Sequence, residues 1–189
     1  GRYPVAELRQ PHTALSTSMI NGGQANAVRF FINHQSCEGS GHDEAHRLIV
    51  ELGHAEYHRR VCAEAEVPAD ATVTMGTAAN MNYAAVITEG DADLEVTAVV
   101  TAGVEGNATC AGDPARWRET SAGIEKVPQY AGTINTMLFI NQPLTAGALA
   151  RAVVTMTEGK SAALQRLTVP SRQSSDLATG TGTDQFCLG

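Results

Sequence analysis

The chain has 189 residues, 43% hydrophobic, 17% charged and only 5% aromatic, a length that fits one domain with a sizeable core. Its formal net charge of −7, from 13 basic and 20 acidic side chains, argues against a nucleic-acid partner, since phosphates demand a basic surface and no Lys/Arg cluster occurs. No apolar run approaches the ~18 residues of a membrane span, and residues 1–10 lack the apolar core of a signal peptide, so a cytoplasmic address is expected.

Residues 13–20 are expected as a short strand ending at the turn signal Asn21-Gly22-Gly23. Residues 24–33 carry apolar side chains at Ala27, Val28, Phe31 and Ile32, a pattern compatible with helix or strand. After a Gly/Ser-rich loop over 35–42, residues 43–65 read as one long helix with Asp43 as N-cap. Ala45, Leu48, Ile49, Leu52, Ala55 and Cys62 share one arc of it, and Val67-Pro68 ends it. Residues 72–77 form the next expected strand, running into Gly76-Thr77-Ala78-Ala79-Asn80. Residues 83–88 and 94–101 read as a hairpin around Glu89-Gly90-Asp91-Ala92-Asp93. The stretch 102–132 is rich in loop formers, from Gly103 to Pro128, and holds the only Trp, Trp117. A strand over 133–141 follows, then a helix over 146–167 closed by Val169-Pro170. A last strand over 177–188 is expected to wrap around Thr179-Gly180-Thr181-Gly182-Thr183-Asp184.

Each half therefore runs strand, long helix, Val-Pro, Gly-Thr turn and strand. This predicts an α+β (mixed α/β) fold of sheet layers on two long helices, within one domain over 1–189. It also suggests an internal pseudo-duplication placing the two Gly-Thr turns in equivalent positions.

His42/His46 and His54/His58 are spaced i, i+4, but around a helix the four spread over roughly 160° opposite the apolar arc. They cannot converge on one ion, each pair alone is too few for zinc, and a solvated face is expected rather than a metal site. Cys37, Cys62, Cys110 and Cys187 lie far apart, without Cys-x-x-Cys spacing, and read as reduced small hydrophobes. Lys160 sits within the stripe Leu149, Ala152, Val153, Met156, Ala163, Leu164 and Leu167, so it must pair, reach an edge or line a cleft. Asp184 and Asp113 are the candidate partners, and Glu158 projects to another side. The turn at 179–184 offers glycines for close backbone approach and hydroxyls that can donate, accept or attack. It lacks P-loop spacing, and no Gly-x-Ser-x-Gly elbow occurs in the chain.

Taken in order, six motifs resemble the adenosylcobinamide amidohydrolases across residues 15–184. They are Leu15-Ser16-Thr17 through Asn21-Gly22-Gly23, and Gly76-Thr77-Ala78-Ala79-Asn80-Met81. Next come Thr101-Ala102-Gly103 with Asn107-Ala108 and Ala111-Gly112-Asp113, and then Gly132-Thr133-Ile134-Asn135. Thr157-Glu158-Gly159-Lys160 with Ala162-Ala163-Leu164, and Ala178-Thr179-Gly180-Thr181-Gly182-Thr183-Asp184, complete the set.

The resemblance implies a corrinoid-salvage hydrolase that cleaves the amide joining the aminopropanol arm to the corrin ring of adenosylcobinamide, giving adenosylcobyric acid. No cofactor is called for, because cobalt arrives with the corrinoid. The chain departs from the family at Gly159, where Ala is usual, and it ends at Gly189, where a segment with a His and a Lys-Leu-Gly-Glu-like helix is expected. The implied catalytic centre is Lys160, Asp184 and Thr181 or Thr183, with Glu158 as an accessory carboxylate. Asn80, Asn107 and Asn135 would bind amides, joined at the substrate by Asn21, Thr77, Asp113 and Thr133. Either a Thr or an activated water could be the nucleophile. Two other readings use the same motifs: a non-catalytic corrinoid-binding module, and an amidohydrolase of this fold with another substrate.

Overall fold

The computed structural model describes residues 3–36, 42–114, 117–121, 123–126 and 132–189. In chain order it contains β1 (Val5–Ser16), β2 (Gly23–Gln35), α1 (His42–Leu52), α2 (His54–Glu64), β3 (Thr72–Thr77), β4 (Ala85–Asp91) and β5 (Leu94–Ala102). There follow β6 (Trp117–Thr120), β7 (Gly123–Lys126), β8 (Ile134–Ile140), α3 (Ala146–Arg166) and β9 (Gln185–Leu188). Seven strands make one mixed sheet in the order β3-β2-β1-β9-β8-β5-β4, while β6 and β7 pair apart. The fold is α+β.

Side-chain alternation along the strands gives the sheet two different faces. Phe31, Val73, Met75, Met137 and Cys187 point to the inner face and form the main core with Ala14 and Val28. The sheet curls around this core until Asn135 of β8 reaches Asn33 of β2 across the interior. On the outer face Ile32 packs under α2 with Val61 and Cys62. Each buried side chain of this size contributes about 1.5–3 kcal/mol.

The first helix differs from expectation. Gly53 stands at φ 75, a left-handed conformation, and splits the run over 43–65 into α1 and α2. A backbone that turns there cannot continue the i→i+4 ladder. His58 also departs from the solvated-face expectation. It is buried, with Nε2 2.9 Å from the Ala69 carbonyl oxygen and Nδ1 3.1 Å from Thr74 Oγ1. Cys37 and the side chains of His42 and His46 lie outside what is described.

Residues 24–33 are strand, as part of β2, and β1 is longer than expected. The expected final strand shortens to β9, because residues 179–184 fold as loop.

Both halves share a connectivity, an antiparallel pair followed by a helical crossover to a parallel strand: β1-β2-α1-α2-β3, then β5-β8-α3-β9. The helices end alike. Glu66 and Thr168 take positive φ, and Val67 N and Val169 N donate back to Cys62 O and Leu164 O. Beyond the Val-Pro pairs the halves diverge. Gly76-Thr77 closes β3, whereas Gly180-Thr181 precedes β9, so the two Gly-Thr turns are not in equivalent places.

Candidate active site

Lys160 lies in α3, and Asp184 immediately precedes β9. Helix α3 begins at Thr145, whose hydroxyl accepts from Ala148 N at 3.2 Å, and its 21 residues carry Lys160 back over the sheet. The Lys160 ammonium pairs with Asp184 Oδ2, the side chains being 22% and 16% exposed.

Asp184 is held from three further directions. Oδ1 accepts from Thr181 Oγ1 at 2.5 Å and from Ile134 N at 3.0 Å, and Oδ2 accepts from Thr181 N at 3.3 Å. Gly180 makes this packing possible, since a Cβ there would overlap Asp184 Oδ2 and stand 3.0 Å from Lys160 Nζ.

The loop over 179–183 is pinned to the segment around Thr109. Thr109 N donates to Gly180 O at 2.8 Å, Thr179 N to Thr109 O at 2.9 Å and Ala111 N to Thr179 Oγ1 at 2.8 Å. Asp113 braces that wall, its Oδ2 accepting from Ser171 Oγ at 2.6 Å, Cys110 N at 2.7 Å and Thr109 Oγ1 at 3.0 Å. The hydrogen bond from Ser171, then that from the Cys110 amide, pulls the Asp113 carboxyl down to about 2. Together these elements line a cleft of about 720 Å³, whose wall includes Thr109, Asp113, Lys160, Ser161, Thr183 and Asp184.

The residues singled out in the sequence fall into three groups. Lys160, Asp184, Thr183 and Asp113 line the cleft. Thr181, Asn107 and Thr133 stand behind it. Thr181 is 0% exposed, so its hydroxyl orients Asp184 rather than facing the cleft. Asn107 Nδ2 and Thr183 Oγ1 both donate to Gly132 O, and Thr133 Oγ1 donates to Thr183 O at 2.7 Å.

Glu158, Asn21, Thr77, Asn80 and Asn135 are not among the residues lining the cleft. Glu158 is exposed on α3. Asn21 Nδ2 ties its turn to Ala69 O and Thr72 O, Thr77 Oγ1 accepts from Ala79 N, and Asn80 Oδ1 accepts from Asn82 N. Asn135 is buried, donating to Asn33 Oδ1 at 2.8 Å and Gly76 O at 3.1 Å.

Thr109, Ser161 and Asn33 were missed in the sequence. Asn33, polar within an apolar strand, was the one that carried a signal. Among the described residues no group of three or more His, Cys, Asp or Glu could hold a metal ion. No helix among them is long and apolar enough to cross a membrane.

Residues 2–189 match the family model described as adenosylcobinamide amidohydrolase (CbiZ). The chain belongs to this family. It is also 36% identical, over 147 residues and 70% of its length, to an uncharacterized protein of Methanocaldococcus jannaschii. The match spans 56% of that relative's own length. No solved structure matches the chain.

In this amidohydrolase-family member the cleft presents one ammonium with a carboxylate braced behind it, together with hydroxyls and loop backbone. Such a set can bind an amide carbonyl and stabilise negative charge on its oxygen. Cys62 and Cys187 offer no nucleophile. Burial pushes the Cys62 thiol up to about 11 and the Cys187 thiol up as well.

Proposed function

We propose that the chain hydrolyses the amide between the aminopropanol arm and the corrin ring of adenosylcobinamide, releasing aminopropanol and adenosylcobyric acid in corrinoid salvage. Water adds across the C–N bond: a C–O bond forms, the C–N bond breaks, and the departing nitrogen takes a proton. The observation that carries this reading is the Lys160–Asp184 pair at the wall of an open cleft in a chain that belongs to the amidohydrolase family.

A cleft of about 720 Å³ lies within the ~300–1,000 Å³ usual for ligand sites, and its Gly- and Thr-rich loops suit a flat, amide-fringed ring edge. Lys160 donates to the amide oxygen as charge builds there, and a preorganised donor of this kind is worth about 10²–10³ in rate. Asp184 holds the ammonium in place. Thr183 is the exposed hydroxyl of the loop, and Thr181 orients the carboxylate.

A specific observation favours a second reading, corrinoid binding without turnover. Asp184 already accepts from four donors and Thr181 is wholly buried, so neither is free to act as base or nucleophile as they stand. Incubation with adenosylcobinamide followed by mass spectrometry separates the two. Loss of the aminopropanol mass supports hydrolysis, whereas tight binding with an unchanged corrinoid refutes it.

A further inference from the structure

The Lys160–Asp184 pair stands between two hollows. On one side is the wide cleft of about 720 Å³. On the other is a pocket of about 170 Å³ that shares Thr157, Lys160 and Asp184 with it and is otherwise walled by Thr17, Ile134, Thr136, Met156, Gln185 and Phe186.

The fold explains the second pocket. Ile134 and Thr136 alternate to the outer face of β8, Phe186 pairs with Thr136 from β9, and Met156 lies one helical turn before Lys160. The result is a hollow whose apolar wall is Ile134, Met156 and Phe186 and whose charged wall is the ion pair. Besides Thr136, its uncharged polar side chains are Gln185 and the threonines Thr17 and Thr157, whose hydroxyls donate to Phe186 O and Val153 O; Thr136 differs from these two threonines. The residue is 8% exposed, and among the described residues its hydroxyl has no hydrogen-bond partner. The hydroxyl, which can both donate and accept, is therefore available to an occupant of the pocket it lines.

Resting on the amidohydrolase reading above, the geometry points to a division of labour. The wide cleft takes the ring, and the small pocket takes the departing amine, a short hydroxyalkylamine whose hydroxyl meets Thr136 Oγ1. Size separates the two fragments. At ~30 Å³ per water-sized group, 170 Å³ holds about half a dozen non-hydrogen atoms, enough for a three-carbon amino alcohol and far too few for a macrocycle. Chemistry agrees with size. Ile134, Met156 and Phe186 meet the carbon chain and its methyl, Thr136 meets the hydroxyl, and the scissile nitrogen falls beside Lys160 and Asp184. The arm is thereby held on the far side of the pair from the ring, which places the bond between them at the ammonium.

The test compares kcat/KM for three cobinamide analogues, whose amide arms derive from aminopropanol, from ethanolamine (lacking the methyl) and from isobutylamine (lacking the hydroxyl). With the unaltered chain, the aminopropanol arm is expected to lead each of the others by about tenfold or more, the range one pocket methyl gives. Thr136→Val should collapse the preference over isobutylamine to less than threefold, and Thr136→Ser should restore it. Met156→Ala, on the helix side of the pocket, should erode the preference for the methyl, and it reads the pocket independently should the Val variant fail to fold. Turnover with ratios unmoved in every folded variant would overturn the pocket assignment and leave hydrolysis standing. Release of no amine from any analogue by the unaltered chain would overturn both.

Discussion

Replacing Lys160 by Met removes the ammonium while keeping a side chain of similar length among Met156 and its neighbours. The stability cost follows from what remains around Asp184. That carboxylate keeps three donors, Thr181 N, Thr181 Oγ1 and Ile134 N, and its side chain is 16% exposed. Exposed pairs contribute about 0–1 kcal/mol, and breaking a fully buried pair costs about 3–5 kcal/mol. A pair still reached by solvent and left with three donors lies between these limits, at about 2 kcal/mol. In a chain of this size that lowers Tm by about 4–8 °C, which leaves the protein folded at 25 °C. Turnover of adenosylcobinamide should fall far more, by at least about 10² in kcat, because the lost group is the donor to the developing oxyanion. Thermal melts and mass-spectrometric release of aminopropanol measure the two effects separately. Full turnover in a folded Lys160→Met variant would remove Lys160 from the chemistry and refute the argument.

Gly180→Ala should cost activity although it removes no polar group, since its Cβ would displace Asp184 Oδ2 from Lys160; steady-state kinetics at wild-type KM and kcat would show the packing argument to be wrong. Asp113 is pulled down to about 2 from its usual 3.8, so its contribution to stability is fully present above pH ~4 and disappears as pH falls toward 2. Asp113→Asn should therefore flatten the acid limb of a Tm-against-pH curve over that window, and an unchanged limb would count against it. Gly53→Ala meets no atom within 4 Å but places a Cβ at φ +75, so it should lower Tm by about 2–4 °C through backbone strain of about 1 kcal/mol. A rise in Tm, with added helicity by circular dichroism, would mean instead that α1 and α2 have fused.

How much was legible in the sequence depended on whether a signal was local. Helix α3, the β4–β5 hairpin and the Lys160 anomaly were readable because periodicity, turn residues and a charge on an apolar stripe all lie within one segment. Asp184 as the partner of Lys160 was foreseen as one of two candidates, since the stripe demanded a partner without specifying which. The break at Gly53 was missed because an isolated Gly within a helical pattern is usually tolerated. The positions of the asparagines were not legible for a different reason. Asn21, Asn80 and Asn135 are spent on backbone carbonyls, a 3-10 turn and the Asn33 amide, and only the tertiary fold reveals whether a polar head faces a cleft or satisfies the interior.

Why Lys160 meets Asp184 at all is a question of topology. Strands β8 and β9 are parallel neighbours, so their N-terminal ends lie side by side, and Ile134 N at the head of β8 donates to Asp184 at the head of β9. A parallel pair requires a crossover that returns the chain to the end of the sheet where it began. Here α3 is that crossover, and the chain continues from it through the loop over 171–184 before entering β9. The helix thus brings a cation over the heads of the two strands, where the same backbone amide and loop hydroxyl already fix an anion. A register slip of one residue in β9 would turn Phe186 away from the outer face and send Cys187 out of the core. The packing that holds Cys187 at 0% exposure therefore also fixes Asp184, two residues before Phe186, against Lys160.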